Sequence, residues 1–315
     1  MTNLVFGPVP SRRLGHSLGI NNIPYKHCSY ACVYCQLKRT PSLEIKPADF
    51  YEVEELVSAC RNAIARCKET DTPIDYLTLV SDGEPTLDRN LGSIILSLKT
   101  FALPVAVISN GSLLWQKNIS KALEHADWVS LKVDSIEEEI WRKINRPHGH
   151  LNLTHILSSM LEFSKHYRGK LVTETMLVRG LNDFESQLNG LGEFLSKMQP
   201  ATSYLSIPTR PPAEAWVNPP DAQTINQAYH ILHDWIPHVE CLIGFEGDEF
   251  SSIGNPVEDL LSITSVHPMR KSAVEQFIER AGLSWQIVED LVAAKKIVPV
   301  DYKNEIYYLR NFLPH

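Results

Sequence analysis

Nowhere in its 315 residues does the chain approach the roughly 20 consecutive apolar positions that a bilayer-spanning helix needs. Its opening, MTNLVFGPVPSRR, also lacks the basic-then-apolar layout of a secretory signal. Membrane insertion and export are therefore not expected, and the predicted location is the cytoplasm. Positive charge is in short supply. Lys and Arg number 30 against 37 Asp and Glu, a net charge of −7, so nothing global draws in polyanions and a nucleic-acid site needs a local basic patch. Repeats at solenoid periods are missing. Cysteine is sparse too, and its six copies are wrongly distributed for a secreted disulfide framework, because three of them crowd into HCSYACVYCQ, residues 27–36. Metal or redox chemistry in a reducing compartment is the reading that this leaves.

The composition, 43% hydrophobic and 21% charged, suits one large globular domain with room for a small second one. Short β-branched or apolar runs at 17–23, 74–83, 104–111, 128–135, 170–180 and 203–209 predict strands. Helix-period segments lie between them, at roughly 48–69, 88–100, 113–126, 136–144 with 150–167, and 183–198. Such alternation predicts an α/β fold of parallel strands joined by right-handed crossovers, and six units make a barrel or an incomplete one with its chemistry at the carboxyl ends of the strands. The strand tips SDGEPT, SNG, KVDS, RGLND and PTRPP agree with that. Each alone is ordinary turn punctuation, but together they point at one mouth. Beyond a proline-rich connection at 211–220, a helix at 221–235 and a strand at 238–245, the sequence changes character near Gly254-Asn255-Pro256. From Ser262 the order is helix, Gly282 turn, helix and two strands about Asn304, which predicts a winged helix and domains 1–250 and 251–315.

Cys28, Cys32 and Cys35 are spaced C-x3-C-x2-C. Three such thiolates suit three irons of a cubane [4Fe–4S] cluster, which ordinarily takes four ligands. Zinc is a competing reading, although His27 adjoins Cys28 too closely for both to bind one tetrahedral ion without strain. A redox pair of Cys32 and Cys35 would leave Cys28 idle, and structural cysteines need no such spacing. Cys60 and Cys67 fall two turns apart on one predicted helix face, about 10 Å by helix rise, too far for a small cluster. With Cys241 they read as small buried hydrophobes rather than a second cluster.

CSYACVYC, with an aromatic directly before its last cysteine, resembles the signature of the radical S-adenosylmethionine (radical SAM) superfamily, and the six units resemble its partial, TIM-like (β/α)6 barrel. FGPVPSRRLGHSLGI, CQLKRT, ETMLVRGLND and PTRPPAEAWVNPP carry the resemblance over nearly the whole chain, to the branch of Fe–S oxidoreductases related to the tRNA wyosine-synthesis enzymes. No cysteine precedes Cys28, whereas true wyosine synthases build a second cluster there. The resemblance implies that SAM chelates the open iron through its amino and carboxylate groups. An electron from the reduced cluster then splits the sulfonium C–S bond, giving methionine and a 5′-deoxyadenosyl radical. It also implies the site residues. Carbonyls about Gly83 and Glu84 receive the SAM amino group with Thr86 close by, while Asp82 stands where the superfamily usually has glycine. Asn110 contacts ribose or methionine, and Tyr34 and Ile207 flank the adenine. Lys132 and Asp134, on one face of a strand, serve the carboxylate or ribose, or else form an inward ion pair. An electron donor such as flavodoxin or ferredoxin goes with this chemistry.

Arg12, Arg13, Arg39, Arg146, Arg179 and Arg210 fall mostly at the predicted mouth. Guanidinium forks suit carboxylates and phosphates, so the expected substrate is anionic, with part of the set serving the SAM carboxylate. His148 and His150 read as a polar loop. From Thr264 to His315 there are seven Lys or Arg and six Asp or Glu, with Glu289 and Asp290 central in the presumed recognition helix. A nucleic-acid reader is clearly basic on one face. The expected function is reductive cleavage of SAM for radical modification of an anionic substrate. The family resemblance favours a tRNA base, and the charge favours a peptide, a protein or a small metabolite. The reading from another class is a non-catalytic Fe–S regulatory or binding protein.

Overall fold

The apolar residues of each short run alternate, so that one set faces helices and the other faces the inside of a curved sheet. The computed structural model describes residues 4–242, 250, 255–266 and 268–311. In chain order it contains β1 (Val5–Ser11), β2 (Gly15–Ile20), α1 (Val53–Glu69), β3 (Tyr76–Leu79), α2 (Leu91–Lys99), β4 (Val105–Ser109), α3 (Lys117–Leu123), β5 (Trp128–Lys132), α4 (Glu138–Asn145), α5 (Leu153–His166), β6 (Lys170–Met176), α6 (Glu185–Met198), β7 (Thr202–Ser206), α7 (Ala222–Trp235) and β8 (Val239–Leu242). Then follow α8 (Pro256–Val266), β9 (Met269–Arg270), α9 (Lys271–Arg280), α10 (Gln286–Ala293), β10 (Ile297–Tyr302) and β11 (Glu305–Arg310). Strands β1 to β8 lie in sequence order in one eight-stranded sheet. The first pair is antiparallel and every later pair is parallel, giving a curled half-barrel of the predicted α/β kind.

Register sorts the residues into an outer and an inner core. Leu79, Val107, Val129 and Leu171 stand side by side on neighbouring strands and pack outward with Leu56, Ile94, Leu123 and Phe163 of the helices. Cys60 and Cys67 belong to this layer on α1, buried as expected. Inside, Leu14, Ala106, Trp128, Val172, Tyr204 and Leu242 form a second cluster. Further along the same inward-facing rows the residues turn polar, at Lys132 and Glu174.

Three differences from the expected elements have physical reasons. The antiparallel strand β1 was not expected, because Pro8 and Pro10 mask it; proline is tolerated there because the strand lies at the sheet edge. β3 stops at Leu79 rather than at 83, since past Val80, whose amide still reaches Ile20 O of β2, the backbone at Asp82 and Glu84 bonds to the cysteine loop instead of to strands. The strand expected over 203–209 ends at Ser206, just ahead of Pro208. The end of the strand expected at 238–245 and the boundary expected at 250/251 lie outside the described residues.

In the C-terminal part β10, β11 and β9 form a small antiparallel sheet in that order. The hairpin turns at Lys303 and Asn304, both at positive φ (55° and 62°), as a tight two-residue hairpin requires. Its apolar core takes in Phe250, Leu260, Ile263, Met269 and Phe277 together with Phe6 and Val9 of β1. The C-terminal elements are therefore packed on the barrel rather than hung from it.

Candidate active site

At the carboxyl ends of the parallel strands lies a cavity of about 580 Å3. The backbone builds its wall by stitching the cysteine loop to the tip of β3. Lys26 N donates to Asp82 O (2.8 Å), and Glu84 N donates to His27 O (2.8 Å). A Cβ on Gly83 would sit 1.9 Å from His27 O, so only glycine admits this approach. On its other side the loop is tied to the end of α4, with Val33 N bonded to Ile144 O (2.8 Å).

The Glu84 carboxylate locks two strand tips together. It accepts from Thr86 N (3.1 Å) and Thr86 Oγ1 (2.6 Å), from Ser109 Oγ (2.7 Å) and from Asn110 N (2.8 Å). Burial nevertheless raises its pKa, with the hydrogen bonds to Thr86 and Asn110 working against that. Asn110 is itself fixed, its amide donating to Ser29 Oγ (2.8 Å) and its carbonyl accepting from Ser112 N (2.9 Å).

Each of the three sulfurs has nitrogen donors. Tyr30 N lies 3.5 Å and Asn110 Nδ2 3.8 Å from Cys28 Sγ, Asn145 Nδ2 3.4 Å from Cys32 Sγ, and Lys26 Nζ 3.3 Å from Cys35 Sγ. Burial pushes the Cys28 thiol well up, reinforced by Glu84, and takes Cys32 up to about 12, reinforced by Asp134.

Of the residues singled out in the sequence, Cys28, Cys32, Cys35, Tyr34, Gly83, Glu84, Asn110, Lys132 and Ile207 line the cavity. Thr86 and Asp134 do not line it. Thr86 supports Glu84 from behind. Asp134 accepts from Met176 N (2.8 Å), Asn145 Nδ2 (2.6 Å) and the Tyr34 hydroxyl, and so anchors the ring and the loop. The inward ion pair of Lys132 with Asp134 is not formed. Parallel register sets Lys132 directly beside Glu174, and its Nζ lies 2.8 Å from that carboxylate and 5.1 Å above the Tyr34 ring. Arg13 pairs with the same carboxylate. Burial alone would raise Glu174, but Arg13 and Lys132 outweigh it and bring it down to about 2.

The arginines divide. Arg12, Arg13 and Arg210 line the cavity. Arg39 and Arg146 instead share Glu214 and border a separate, open hollow beside the cysteine loop. Arg179 lines neither, its backbone amide bonding to Asn218 O (2.9 Å). His148 and His150 stack edge to face 5.1 Å apart, also away from the cavity. Sequence reasoning missed Glu174, Lys26, Asn145 and the C-terminal residues Arg270 and Tyr307 of the cavity wall. Glu174 had a signal, as an acidic residue in the interior of the strand KLVTETM. Arg270 and Tyr307 had none, because more than 50 residues separate each of them from Arg210, the cavity residue that follows β7.

Residues 22–187 match the radical SAM superfamily, over more than half of the chain. The chain belongs to that superfamily, whose members are enzymes of radical chemistry. It is 42% identical over 310 residues to a UPF0026 protein of Methanocaldococcus jannaschii, a match that covers 98% of this chain and 96% of that one. Among solved structures it resembles TYW1 with a lysine–pyruvate adduct bound, at a TM-score of 0.53 and 16% identity over 70% of this chain and 74% of that one. It likewise resembles a radical SAM methyltransferase from Sphaerobacter thermophilus, at a TM-score of 0.54 and 14% identity over 72% and 66%. At those identities the likeness is one of fold. No helix among the described residues is long and apolar enough to cross a membrane.

Proposed function

We propose that Cys28, Cys32 and Cys35 hold a [4Fe–4S] cluster whose fourth iron takes SAM, and that the protein carries out radical modification of an anionic substrate. The observation that carries this reading is the convergence of those cysteines with Gly83, Glu84 and Asn110 on one cavity, in a chain of this superfamily. The donor set fits the cluster. In a cubane each thiolate sits on its own iron, so the sulfurs need not close on one point, and among the described residues no three His, Cys, Asp or Glu side chains do. Burial makes metal-free thiolates costly at Cys28 and Cys32, whereas a coordinated metal removes the thiol proton outright. The donors from Lys26, Asn110 and Asn145 suit sulfurs carrying cluster charge.

When bound, the cluster and SAM supply a 5′-deoxyadenosyl radical by one-electron cleavage of the sulfonium, given a reductant such as flavodoxin or ferredoxin. The chain's own residues orient and shield. In this reading carbonyls at Gly83 and Glu84 accept from the SAM amino group, and the Glu84 side chain, already occupied by four donors, holds that tip rigid. Asn110 is preset beside Cys28 for the ribose or methionine. Lys132 offers positive charge to the carboxylate, while Asp134 acts one layer back by fixing Tyr34 against the adenine face, opposite Ile207. Arg12 and Arg210 supply charge for an anionic substrate. We read 251–315 as a winged-helix domain on a barrel of 1–250, supported by the helix, helix, hairpin order of α9, α10, β10 and β11.

The test is anaerobic reconstitution with iron and sulfide, reduction with dithionite and addition of SAM. Formation of 5′-deoxyadenosine is expected, together with a SAM-dependent change in the cluster's EPR spectrum. A cluster that neither responds to SAM nor cleaves it would overturn the reading.

A further inference from the structure

The C-terminal elements carry the furthest step, because they form part of the cavity wall. Pro268, Met269, Arg270, Ala273 and Tyr307 line it opposite the strand tips. Polar bonds hold them there as well as the apolar seam with Phe6 and Val9. The Tyr302 hydroxyl donates to Pro208 O (3.0 Å), Lys303 Nζ donates to the same carbonyl (3.3 Å), and the Tyr307 hydroxyl donates to Thr209 O (2.9 Å). The hairpin turn at Lys303 is therefore seated on the barrel, where it cannot enter a nucleic-acid groove. The exposed centre of α10 presents Glu289 and Asp290, which repel phosphate backbones. What the unit does turn inward is a cation. Arg270 lines the cavity with its Nε 3.0 Å from the Tyr307 hydroxyl and its guanidinium 5.8 Å from that ring's centre.

We infer that the C-terminal unit is a substrate-binding roof, that Arg270 and Tyr307 are specificity-determining residues, and that the substrate is a small molecule bearing a carboxylate or phosphate. The inference rests on the radical SAM reading of the same cavity. Its volume of about 580 Å3 lies inside the range of about 300–1,000 Å3 typical of small-molecule pockets. Shared with the cluster on its cysteines and a nucleoside cosubstrate, such a space leaves room for one further small group, not a folded stretch of RNA. Tyr307 presents the Arg270 fork at a fixed angle: its hydroxyl oxygen accepts from Nε while its proton goes to Thr209 O. A planar, preset guanidinium favours bidentate oxyanions. Arg12 and Arg210, on the barrel side of the same cavity, add to the positive field.

The experiment is calorimetric titration of the full-length, SAM-loaded protein with three probes: inorganic phosphate, malonate and bulk tRNA. One-site binding of phosphate or malonate is expected, weakened about tenfold in Arg270→Gln, less so in Arg270→Lys and about threefold in Tyr307→Phe, with the tighter anion naming the substrate's charged group. Unchanged anion affinity in Arg270→Gln would overturn the inference, as would the absence of anion binding in the wild type. So would tRNA that binds and displaces the small anions. If Arg270→Gln fails to fold, Tyr307→Phe decides by the same criterion, since it removes only a hydroxyl. Formation of 5′-deoxyadenosine by the wild type is scored separately. If it fails, the underlying radical SAM reading falls; if it succeeds while anion affinity is insensitive to Arg270, only the roof inference falls.

Discussion

Single residues divide this site into groups that touch the cavity and groups that hold those groups still. The cysteines illustrate both. Cys28→Ala, Cys32→Ala or Cys35→Ala should each abolish the cluster, while Cys60→Ala and Cys67→Ala keep the iron content and lower stability by about 1 kcal/mol through the lost packing in the α1 core. Iron analysis with thermal unfolding separates the two sets. Gly83→Ala should cost about 1–3 kcal/mol and the SAM response, because its Cβ would meet the His27 carbonyl at 1.9 Å. Glu174 gives a pH prediction. Its carboxyl, ordinarily near 4.5, is held down to about 2 by Arg13 and Lys132, so the stability it contributes is complete above about 4.5 and lost as pH falls towards 2. Denaturation midpoints followed over that window should show an acid slope that Glu174→Gln reduces. At neutral pH the same substitution should cost about 1–3 kcal/mol by leaving two partly buried cations without their counter-charge. The cysteine spacing and the strand-tip residues were legible in the sequence because they are local patterns. Glu174 and its partners were not, since parallel register rather than spacing brings Lys132 beside it.

At the scale of elements, the alternation of strand and helix was readable from β2 to β7 because apolar periodicity sets it. β1 was hidden by its own prolines, which an edge strand can carry and an interior one cannot. That edge strand is also where the C-terminal elements attach. Phe6→Ala should therefore loosen two layers at once, costing about 3–5 kcal/mol. Limited proteolysis should then cut first at the exposed Lys295 and Lys296 between α10 and β10. Retained resistance there would show that the polar bonds to Pro208 and Thr209 suffice to hold the roof.

For the whole molecule, the division of labour is between a barrel that carries the charged floor and a C-terminal unit that closes the space above it. The helix, turn, helix and hairpin order of that unit was legible in the sequence, but its docking was not, because the bond from Tyr307 to Thr209 and the cluster that gathers Phe6 with Phe277 leave no periodic trace. The sheet, meanwhile, is not a closed ring: among the described residues β1 and β8 are not paired, and Leu14 and Leu242 belong to one inner apolar cluster instead. A ladder must break hydrogen bonds to widen, whereas greasy side chains need only slide past one another. Among the described residues the two rims of the sheet are thus joined by side-chain packing and not by a ladder, like a bracelet left without a clasp.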